Sequence, residues 1–278
     1  MRLLKRVLQR VLILGLGVFS IWLIVFVIFE DADRKLPLIL AVAVTYGLSA
    51  YVVLPRIVRM GLKILHRRLI PSYTITGDGL PGDPVNVVLI GTAAQLRSAF
   101  AVSGWFMADP LGPASSWRMA RAFLLNKPYP TAPFSTLYLF GRGQDIGFQR
   151  PIGDSPRKRH HIRFWALGLD HEMDDPSSIG FWLNRDRPAP DATVLWVGAG
   201  TRDTGFSLTH MTFQITHATD ADTNAERAYI VGELVRNGMI ADVTEHSAGT
   251  ALRPAHVNRY ITDGEIVFAR LTDRQASR

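Results

Sequence analysis

Two long apolar runs dominate the N-terminal part of the chain. Residues 11–29 and residues 36–55 carry no charged side chain, and only the short charged segment 30–35 separates them. About 20 helical residues span the ~30 Å hydrocarbon core of a bilayer, whereas a helix of a soluble domain keeps a polar stripe. A cleaved signal peptide has a shorter apolar run and a small-residue cleavage site, which the first run lacks. The pattern therefore predicts two membrane helices that form an antiparallel hairpin.

A basic amphipathic segment follows the second run. Within residues 56–70, basic side chains recur at helical spacing and share one face, namely Arg56, Arg59, Lys63 and Arg67. We expect this neck to lie along the inner leaflet as an interfacial helix, because Pro55 favours a bend at its start. The alternative is that the neck extends the second span as a solvated stalk.

The rest of the chain alternates between short strands and helices. Residues 72–84 are rich in Gly and Pro and predict a linker. Strands are predicted over residues 85–90, 135–140, 160–166, 193–198, 210–217, 240–244 and 265–271. Helices are predicted from a Thr92 cap to about residue 103, from a Ser115 cap to before Pro128, and from an Asp220 or Asp222 cap to about residue 237.

This order of elements predicts an α+β fold. It comprises two N-terminal transmembrane helices, an amphipathic neck helix, and a mixed or mostly antiparallel sheet domain with flanking helices. The corresponding domains are a transmembrane helical hairpin over residues 1–55, a neck and linker over residues 56–84, and a soluble domain over residues 85–278.

The basic charge of the chain is concentrated beside the apolar runs. The first 70 residues hold 11 of the 31 Lys and Arg residues but only 3 of the 24 Asp and Glu residues. Because the larger domain is then close to neutral, no nucleic-acid partner is expected, and anionic lipid is the expected partner of the basic residues. The absence of cysteine excludes a disulfide framework and a thiol nucleophile.

The basic flanks also predict an orientation. Four basic residues precede the first run and five follow the second, whereas the link holds two together with three acids. The positive-inside rule therefore predicts that both termini, and the large domain with them, lie in the cytoplasm.

The densest group of polar side chains lies within residues 155–165. It holds the candidate ligand-binding residues Arg157, Lys158, Arg159, His160, His161 and Arg163. Such a cluster can hold a phosphate or carboxylate through charge-assisted hydrogen bonds. As a strand, it would place His160 and His161 on opposite faces. The alternative is a solvated basic loop that leads into an edge strand, with one histidine buried.

A second group of polar side chains lies between residues 210 and 227. His210, His217 and Asp220 are candidate metal ligands, and His217 with Asp220 could form an acid–base pair. Their spacing matches no strong metal motif. In the alternative interpretation, an aspartate caps a helix while Glu226 and Arg227 are surface charges of its first turn.

A glycine-containing segment over residues 141–149 adds two candidates. Its spacing is G-x-G-x-x-x-G, without a following Walker lysine, so a nucleotide loop is not predicted. Asp145 is a further candidate acid–base residue, and Gln149 is a further candidate ligand-binding residue.

Three stretches of the chain resemble one family. They are YPTAP at residues 129–133 with LYLFGR at 137–142; SPRKRHH at 155–161 with RFW at 163–165; and QITH at 214–217 with Asp222, Glu226 and Arg227. Over roughly residues 83–245 the chain resembles the LssY-type C-terminal domain family. The resemblance implies a bacterial, membrane-associated protein, and some members also carry a PAP2-type lipid phosphatase region. This chain departs from the family in having no PAP2-type motif, and in having Ala218 where members tend to carry a second histidine.

The expected function is a membrane-anchored cytoplasmic module of the bacterial cell envelope, in the inner membrane. Its expected ligand is an anionic group, a lipid headgroup or a membrane protein partner. The alternative is a hydrolase that acts on a phosphorylated lipid or lipid-linked substrate, with His217, Asp220 and Asp145 as candidate catalytic residues. The sequence leaves the reaction, the substrate and any cofactor undefined.

Overall fold

The fold consists of an N-terminal helical hairpin followed by a layered sheet domain. The computed structural model describes residues 2–64, 70–125, 127–153, 158–168, 187–208, 215–247 and 260–273.

Two long helices form the N-terminal hairpin. The first comprises α1 (Arg2–Trp22), a π-helical segment (Leu23–Phe29) and α2 (Glu30–Lys35). The second comprises α3 (Leu38–Leu48), a π-helical segment (Ser49–Val53) and α4 (Leu54–Ile64). Val7–Lys35 and Leu38–Ile64 are long and apolar enough to cross a membrane and are candidate membrane spans.

The neck continues the second candidate span without a break. Pro55 lies at the start of α4, directly after the π-helical turn, and such a turn accommodates a residue that lacks a backbone N–H. This continuous helix matches the alternative in which the neck extends the second span. Lys63 is buried and packs against Gly141 of the sheet domain, so closely that a Cβ added to this glycine would lie 2.6 Å from Lys63 Cγ. The basic face of the neck is therefore interrupted at Lys63.

The larger sheet is mixed and forms the centre of the domain. Its order is β11-β12-β3-β9-β8-β7-β4, and β10 also pairs with β9. Only β12 and β3 pair in parallel among the described strands; every other pair is antiparallel. The strands are β3 (Val87–Gly91), β4 (Phe106–Met107), β7 (Ile146–Pro151), β8 (Arg159–Leu167), β9 (Val194–Leu208), β10 (Ile215–Thr219), β11 (Ile240–Ser247) and β12 (Glu265–Leu271).

A second, smaller sheet covers one face of the larger sheet. Its order is β2-β1-β5-β6, with β1 (Tyr73–Ile75), β2 (Pro81–Pro84), β5 (Tyr138–Leu139) and β6 (Arg142–Gly143). The segment predicted as a linker over residues 72–84 therefore forms two paired strands. β1 pairs with β2 on one side and with β5 on the other, which the Gly and Pro content alone does not predict.

Two helices, α5 (Ala93–Val102) and α7 (Thr223–Arg236), cover the other face of the larger sheet. A further helix, α6 (Pro113–Leu124), lies between them in the chain and follows β4. Thr92 caps α5 in a capping box with Gln95, as predicted. Asp222, rather than Asp220, caps α7. The prediction for Ser115 is wrong, because α6 begins at Pro113, a residue favoured at the first helical position.

The apolar core has two layers, one on each face of the larger sheet. The layer under the helices contains Phe100, Phe148, Phe164, Trp196 and Ile230. The layer under the smaller sheet contains Val88, Leu137, Trp165, Val197 and Ile266. The predicted α+β class with a mixed sheet and flanking helices is confirmed.

Candidate ligand-binding site

Strand β8 carries the basic segment into the larger sheet and divides its side chains between the two faces. Side chains alternate along a strand, so His160 and Ile162 face α5 and α7. Arg159, His161 and Arg163 face the smaller sheet, where all three are buried. The two adjacent histidines therefore lie in separate environments.

Two buried ion pairs occupy the face toward the smaller sheet. Arg159 Nε donates to Asp203 Oδ2 over 2.8 Å, and Arg163 Nη1 donates to Asp83 Oδ2 over 2.6 Å. The arginine side chains are 3% and 6% exposed. Because both guanidinium groups already face carboxylates and are shielded from solvent, they support the interior of the domain. We call these four side chains and His161 the inner network.

His161 links the two ion pairs of the inner network. Its Nε2 lies 2.6 Å from Arg163 Nη1 and 2.9 Å from Thr201 Oγ1. A guanidinium group only donates, so Nε2 accepts and the ring proton lies on Nδ1. Nδ1 is 3.3 Å from Asp203 Oδ1. The geometry therefore places the His161 ring between two carboxylates and a guanidinium group.

The environment of Asp83 favours its charged form. Burial alone would raise the pKa of Asp83, but the Arg163 guanidinium and the hydrogen bond from Tyr260 hold that pKa below its ordinary value. Tyr260 Oη donates to Asp83 Oδ1 over 2.9 Å. Burial, reinforced by the charge on Asp83, raises the pKa of Tyr260 well above its ordinary value.

Uncharged side chains complete the packing around Arg159. Gln149 Oε1 accepts from Arg159 Nη1 over 2.5 Å. The ring centre of Phe134 lies 4.8 Å from the guanidinium carbon of Arg159 and the same distance from that of Arg163. Burial lowers the pKa of Arg159, and the neighbouring Asp203 opposes this shift. Gln149, predicted to bind a ligand, thus bonds to a buried arginine.

On the face toward the helices, three neighbouring strands place Arg150, His160 and Arg202 side by side. His160 pairs in register with Arg150 of β7 and with Arg202 of β9. Directly paired residues share a face, and neighbouring strands lie ~4.8 Å apart. The side chains of Arg150 and Arg202 are 40% and 45% exposed, and Lys158 is exposed where β8 begins. We call Arg150, His160 and Arg202 the outer row.

Helix α7 lies beside the outer row and supplies a partner for His160. His160 Nδ1 lies 2.8 Å from Glu226 Oε2. A carboxylate only accepts, so Nδ1 carries a proton and donates it. The ring of Tyr229 stacks on the imidazole with centroids 4.1 Å apart. Among the described residues His160 Nε2 has no partner, and this side chain is 17% exposed, so Nε2 is available to a ligand.

The interpretation of Glu226 and Arg227 as surface charges is wrong, because both residues are buried. Glu226 faces His160, and its Oε1 is buried without a hydrogen-bond partner in the described part of the chain. Arg227 donates from Nη1 and Nη2 to the two oxygens of Asp263, each over 2.7 Å. This hydrogen bonding raises the pKa of Arg227 and lowers the pKa of Asp263.

The two candidate aspartates lie in different places. Asp220 Oδ2 is 3.9 Å from Arg202 Nη1, so Asp220 borders the outer row. Asp145 Oδ2 lies 3.0 Å from Arg142 Nη2 and accepts from the Ala166 backbone N–H over 2.8 Å. Ala166 is six residues along β8 from His160, which corresponds to roughly 20 Å at ~3.3 Å per residue. Asp145 is therefore remote from the outer row.

The second group of predicted residues is described only in part. The backbone of His217 lies on β10, paired with Phe206 of β9, while its side chain falls outside the described residues. His210 and Arg157 also fall outside them. Across the described ranges, no group of three His, Asp or Glu side chains is arranged to hold a metal ion.

Sequence reasoning did not identify several partners of the predicted residues. Asp83 lies in the segment predicted as a linker, and Asp203 and Arg150 lie in strands whose pairing the sequence does not reveal. Alternation along β8 predicts two faces, but only the register identifies which charges lie opposite each residue.

The comparisons with known proteins extend the resemblance seen in the motifs. A family model described as LssY C-terminus matches residues 67–266, which include the inner network and the outer row. No curated protein and no solved structure matches the chain. Because the family model covers more than half of the chain, this protein belongs to the LssY C-terminus family.

Proposed function

We propose that the protein is a membrane-anchored module whose domain binds a phosphate-bearing ligand at the outer row. The supporting observation is that Arg150, His160 and Arg202 lie side by side and that the two arginine side chains are 40% and 45% exposed. Guanidinium groups bind phosphate through paired, charge-assisted hydrogen bonds, and His160 Nε2 adds a third polar contact. A lipid headgroup and a soluble phosphate ester offer the same chemistry to this site.

The carboxylates beside the outer row orient its arginines. Arg150 Nη1 lies 2.8 Å from Glu233 Oε2, and Arg202 Nη1 lies 3.9 Å from Asp220 Oδ2. Both pairs are partly exposed, so their mutual attraction is weak. A guanidinium group has five N–H donors, and one contact leaves others for a second acceptor. The arginines can therefore keep these neighbours and still bind phosphate.

We propose that the anchor places this domain on the cytoplasmic side of a bacterial inner membrane. Support comes from the two candidate spans and from the excess of basic residues outside the link 30–35. A reporter active only in the cytoplasm, fused after Arg278, is expected to give signal. Activity from a periplasmic reporter at the same position, with silence from the cytoplasmic one, would contradict this orientation.

A second candidate function is hydrolysis of a phosphate ester, and the pairing of His160 with Glu226 favours it. With its proton on Nδ1 held by the carboxylate, His160 presents Nε2 as a base. In this reaction Nε2 takes a proton from water as its oxygen bonds to phosphorus, the bond from phosphorus to the ester oxygen breaks, and the imidazolium returns the proton to the departing alkoxide. Arg150 and Arg202 would stabilise the phosphoryl oxygens.

Calorimetric titration of the full chain in phosphatidylcholine nanodiscs tests the binding proposal. Glycerol 3-phosphate is the soluble probe, and phosphatidic acid within the nanodisc is the lipid probe. The double variant Arg150→Gln/Arg202→Gln is expected to lose binding of whichever probe the native chain binds. Arg270→Gln is the matched control, because Arg270 is 68% exposed and lies on β12 of the same sheet.

The two probes separate the two sources of phosphate. Binding of glycerol 3-phosphate indicates a soluble ester, whereas competition for it by phosphatidic acid indicates a headgroup. No heat from either probe, or an equal loss in the Arg270→Gln control, would contradict the proposal. Release of inorganic phosphate that stops in His160→Gln would establish hydrolysis.

A further inference from the structure

Helix α6 exposes three large apolar side chains on one face. Trp117, Leu124 and Leu125 are 73%, 79% and 54% exposed. The Leu125 N–H donates to the Arg121 carbonyl over 3.0 Å, so the helical path continues through Leu125. Positions 117, 121, 124 and 125 then share one face at helical spacing. Contiguous exposed apolar side chains of this size mark interaction surfaces.

The opposite face of α6 holds the helix against the domain. Ser115 and Ala122 are buried, and Ser115 Oγ donates to the Pro110 carbonyl over 2.7 Å. Tyr129 Oη donates to Asp109 Oδ2 over 2.5 Å, while Arg118 Nη2 lies 3.2 Å from the same oxygen. These contacts fix which side of α6 faces outward.

More exposed apolar side chains precede α6 in the chain. Phe106 and Met107 form β4, the edge strand of the larger sheet, and are 46% and 50% exposed. Leu111, two residues before the helix, is 55% exposed. The segment that leads from the sheet edge to the helix therefore also exposes apolar side chains.

The charge of α6 indicates which partner this surface binds. The helix contains no acidic residue and carries Arg118 and Arg121. An amphipathic helix with exposed Trp and Leu beside basic side chains is suited to the boundary between anionic headgroups and acyl chains. The same chain carries two candidate membrane spans, which keep a bilayer surface close to the domain.

We propose that α6 is a second membrane contact, which docks the domain onto anionic lipid through Trp117, Leu124 and Leu125. The three side chains enter the boundary below the headgroups, and Arg121, which lies on the same face, extends its long side chain to the lipid phosphates. This contact fixes the domain relative to the bilayer and does not depend on a ligand at the outer row.

Site-specific fluorescence on the full chain tests this contact. The native chain has no cysteine, so Leu124→Cys provides one labelling position for an environment-sensitive dye. The labelled chain is reconstituted into vesicles of equal parts phosphatidylglycerol and phosphatidylcholine. We expect a blue-shifted emission that nitroxide-labelled lipid quenches and that aqueous iodide does not. Val243→Cys is the matched control, because Val243 is 43% exposed on β11 at the opposite edge of the sheet.

Further variants test whether the contact depends on the basic side chains. The quenching pattern distinguishes a lipid contact from exposure to solvent and from a protein contact. Arg121→Glu combined with Leu124→Cys is expected to restore iodide quenching, whereas Arg270→Glu combined with Leu124→Cys is not. Iodide quenching at Leu124→Cys equal to that at Val243→Cys would overturn the proposal. Protection from both quenchers would also overturn it, since that result assigns the surface to a protein.

Discussion

The Nδ1 atom of His160 on β8 lies 2.8 Å from Oε2 of Glu226 on α7. This single contact joins the middle strand of the outer row to the helix beside it. It sets the protonated nitrogen of the imidazole toward the protein and the other nitrogen toward the accessible side. The pairing therefore determines which atom of His160 can meet a ligand.

Removing the Glu226 carboxylate is expected to destabilise the domain. Glu226→Ala leaves the His160 Nδ1–H without its acceptor, and an unpaired buried donor costs about 1–3 kcal/mol of unfolding free energy. Glu226→Gln keeps an acceptor oxygen and is expected to cost less. Urea unfolding of the detergent-solubilised chain, followed by tryptophan fluorescence, measures both. A cost for Glu226→Ala equal to that of Glu245→Ala, an exposed residue of β11, would show that the contact is not formed.

The depressed pKa of Asp83 predicts a loss of stability in acid. A carboxyl group whose pKa is lowered by folding stabilises the native state above its ordinary pKa of 3.8, and this contribution is lost as the pH falls through the lower folded value. The free energy of unfolding is therefore expected to fall with pH below about 3.8. Asp83→Asn should lower stability at neutral pH and flatten this slope. An unchanged slope in Asp83→Asn, or an equal change in the exposed control Asp191→Asn, would contradict the assignment.

The ion pair of Arg159 and Asp203 is expected to show strong coupling. Asp203→Leu leaves the buried guanidinium without its carboxylate and should cost about 3–5 kcal/mol, since an uncompensated buried charge is expensive. Arg159→Met/Asp203→Leu removes both charges and should cost less than Asp203→Leu alone. Equilibrium unfolding of the native chain, of Asp203→Leu, of Arg159→Met and of the double variant gives the coupling. Additive costs in the double variant would contradict a direct pair.

Contact between the neck and the smaller sheet can be isolated with two glycines. Gly141 and Gly104 both have positive φ, at +72° and +75°, so alanine at either position is strained by about 1–2 kcal/mol. Only at Gly141 would the new Cβ meet the neck, 2.6 Å from Lys63 Cγ; at Gly104 it meets nothing within 4 Å. Gly141→Ala is therefore expected to lower the melting temperature more than Gly104→Ala. In a Lys63→Ala background this difference should shrink, and a difference that persists unchanged would exclude the contact.

Local patterns predicted much of the fold. The apolar runs, the Thr92 cap and the alternation along β8 are encoded within a few residues, and the helices and strands follow them. The linker prediction failed because β1 and β2 draw their stability from pairing with each other and with β5, which Gly and Pro content does not reveal. Local propensity cannot report such long-range pairing.

In the candidate site, too, the features encoded locally were predicted and the long-range contacts were not. His160, Arg159 and His161 were recognised because they cluster in the chain, and their assignment to opposite faces follows from the period of a strand. The partners of these residues could not be recognised because they are distant in the sequence. Glu226 lies 66 residues from His160, and Tyr260 lies 177 residues from Asp83, another member of the inner network. The function of a buried charge depends on such distant partners. The composition of the cluster does not reveal them, and Arg159 and Arg163 were therefore predicted to bind a ligand.

Nitrogen-15 NMR of histidine-labelled full chain in phosphatidylcholine nanodiscs tests the central claim most directly. The His160 signals are assigned by their loss in His160→Gln, and glycerol 3-phosphate is then added. The account predicts that the Nε2 resonance of His160 shifts on addition while Nδ1 keeps its hydrogen-bonded position, and that Arg150→Gln/Arg202→Gln abolishes the shift. An unchanged Nε2 resonance at saturating glycerol 3-phosphate, or the same shift in the double variant, would contradict a phosphate site at the outer row.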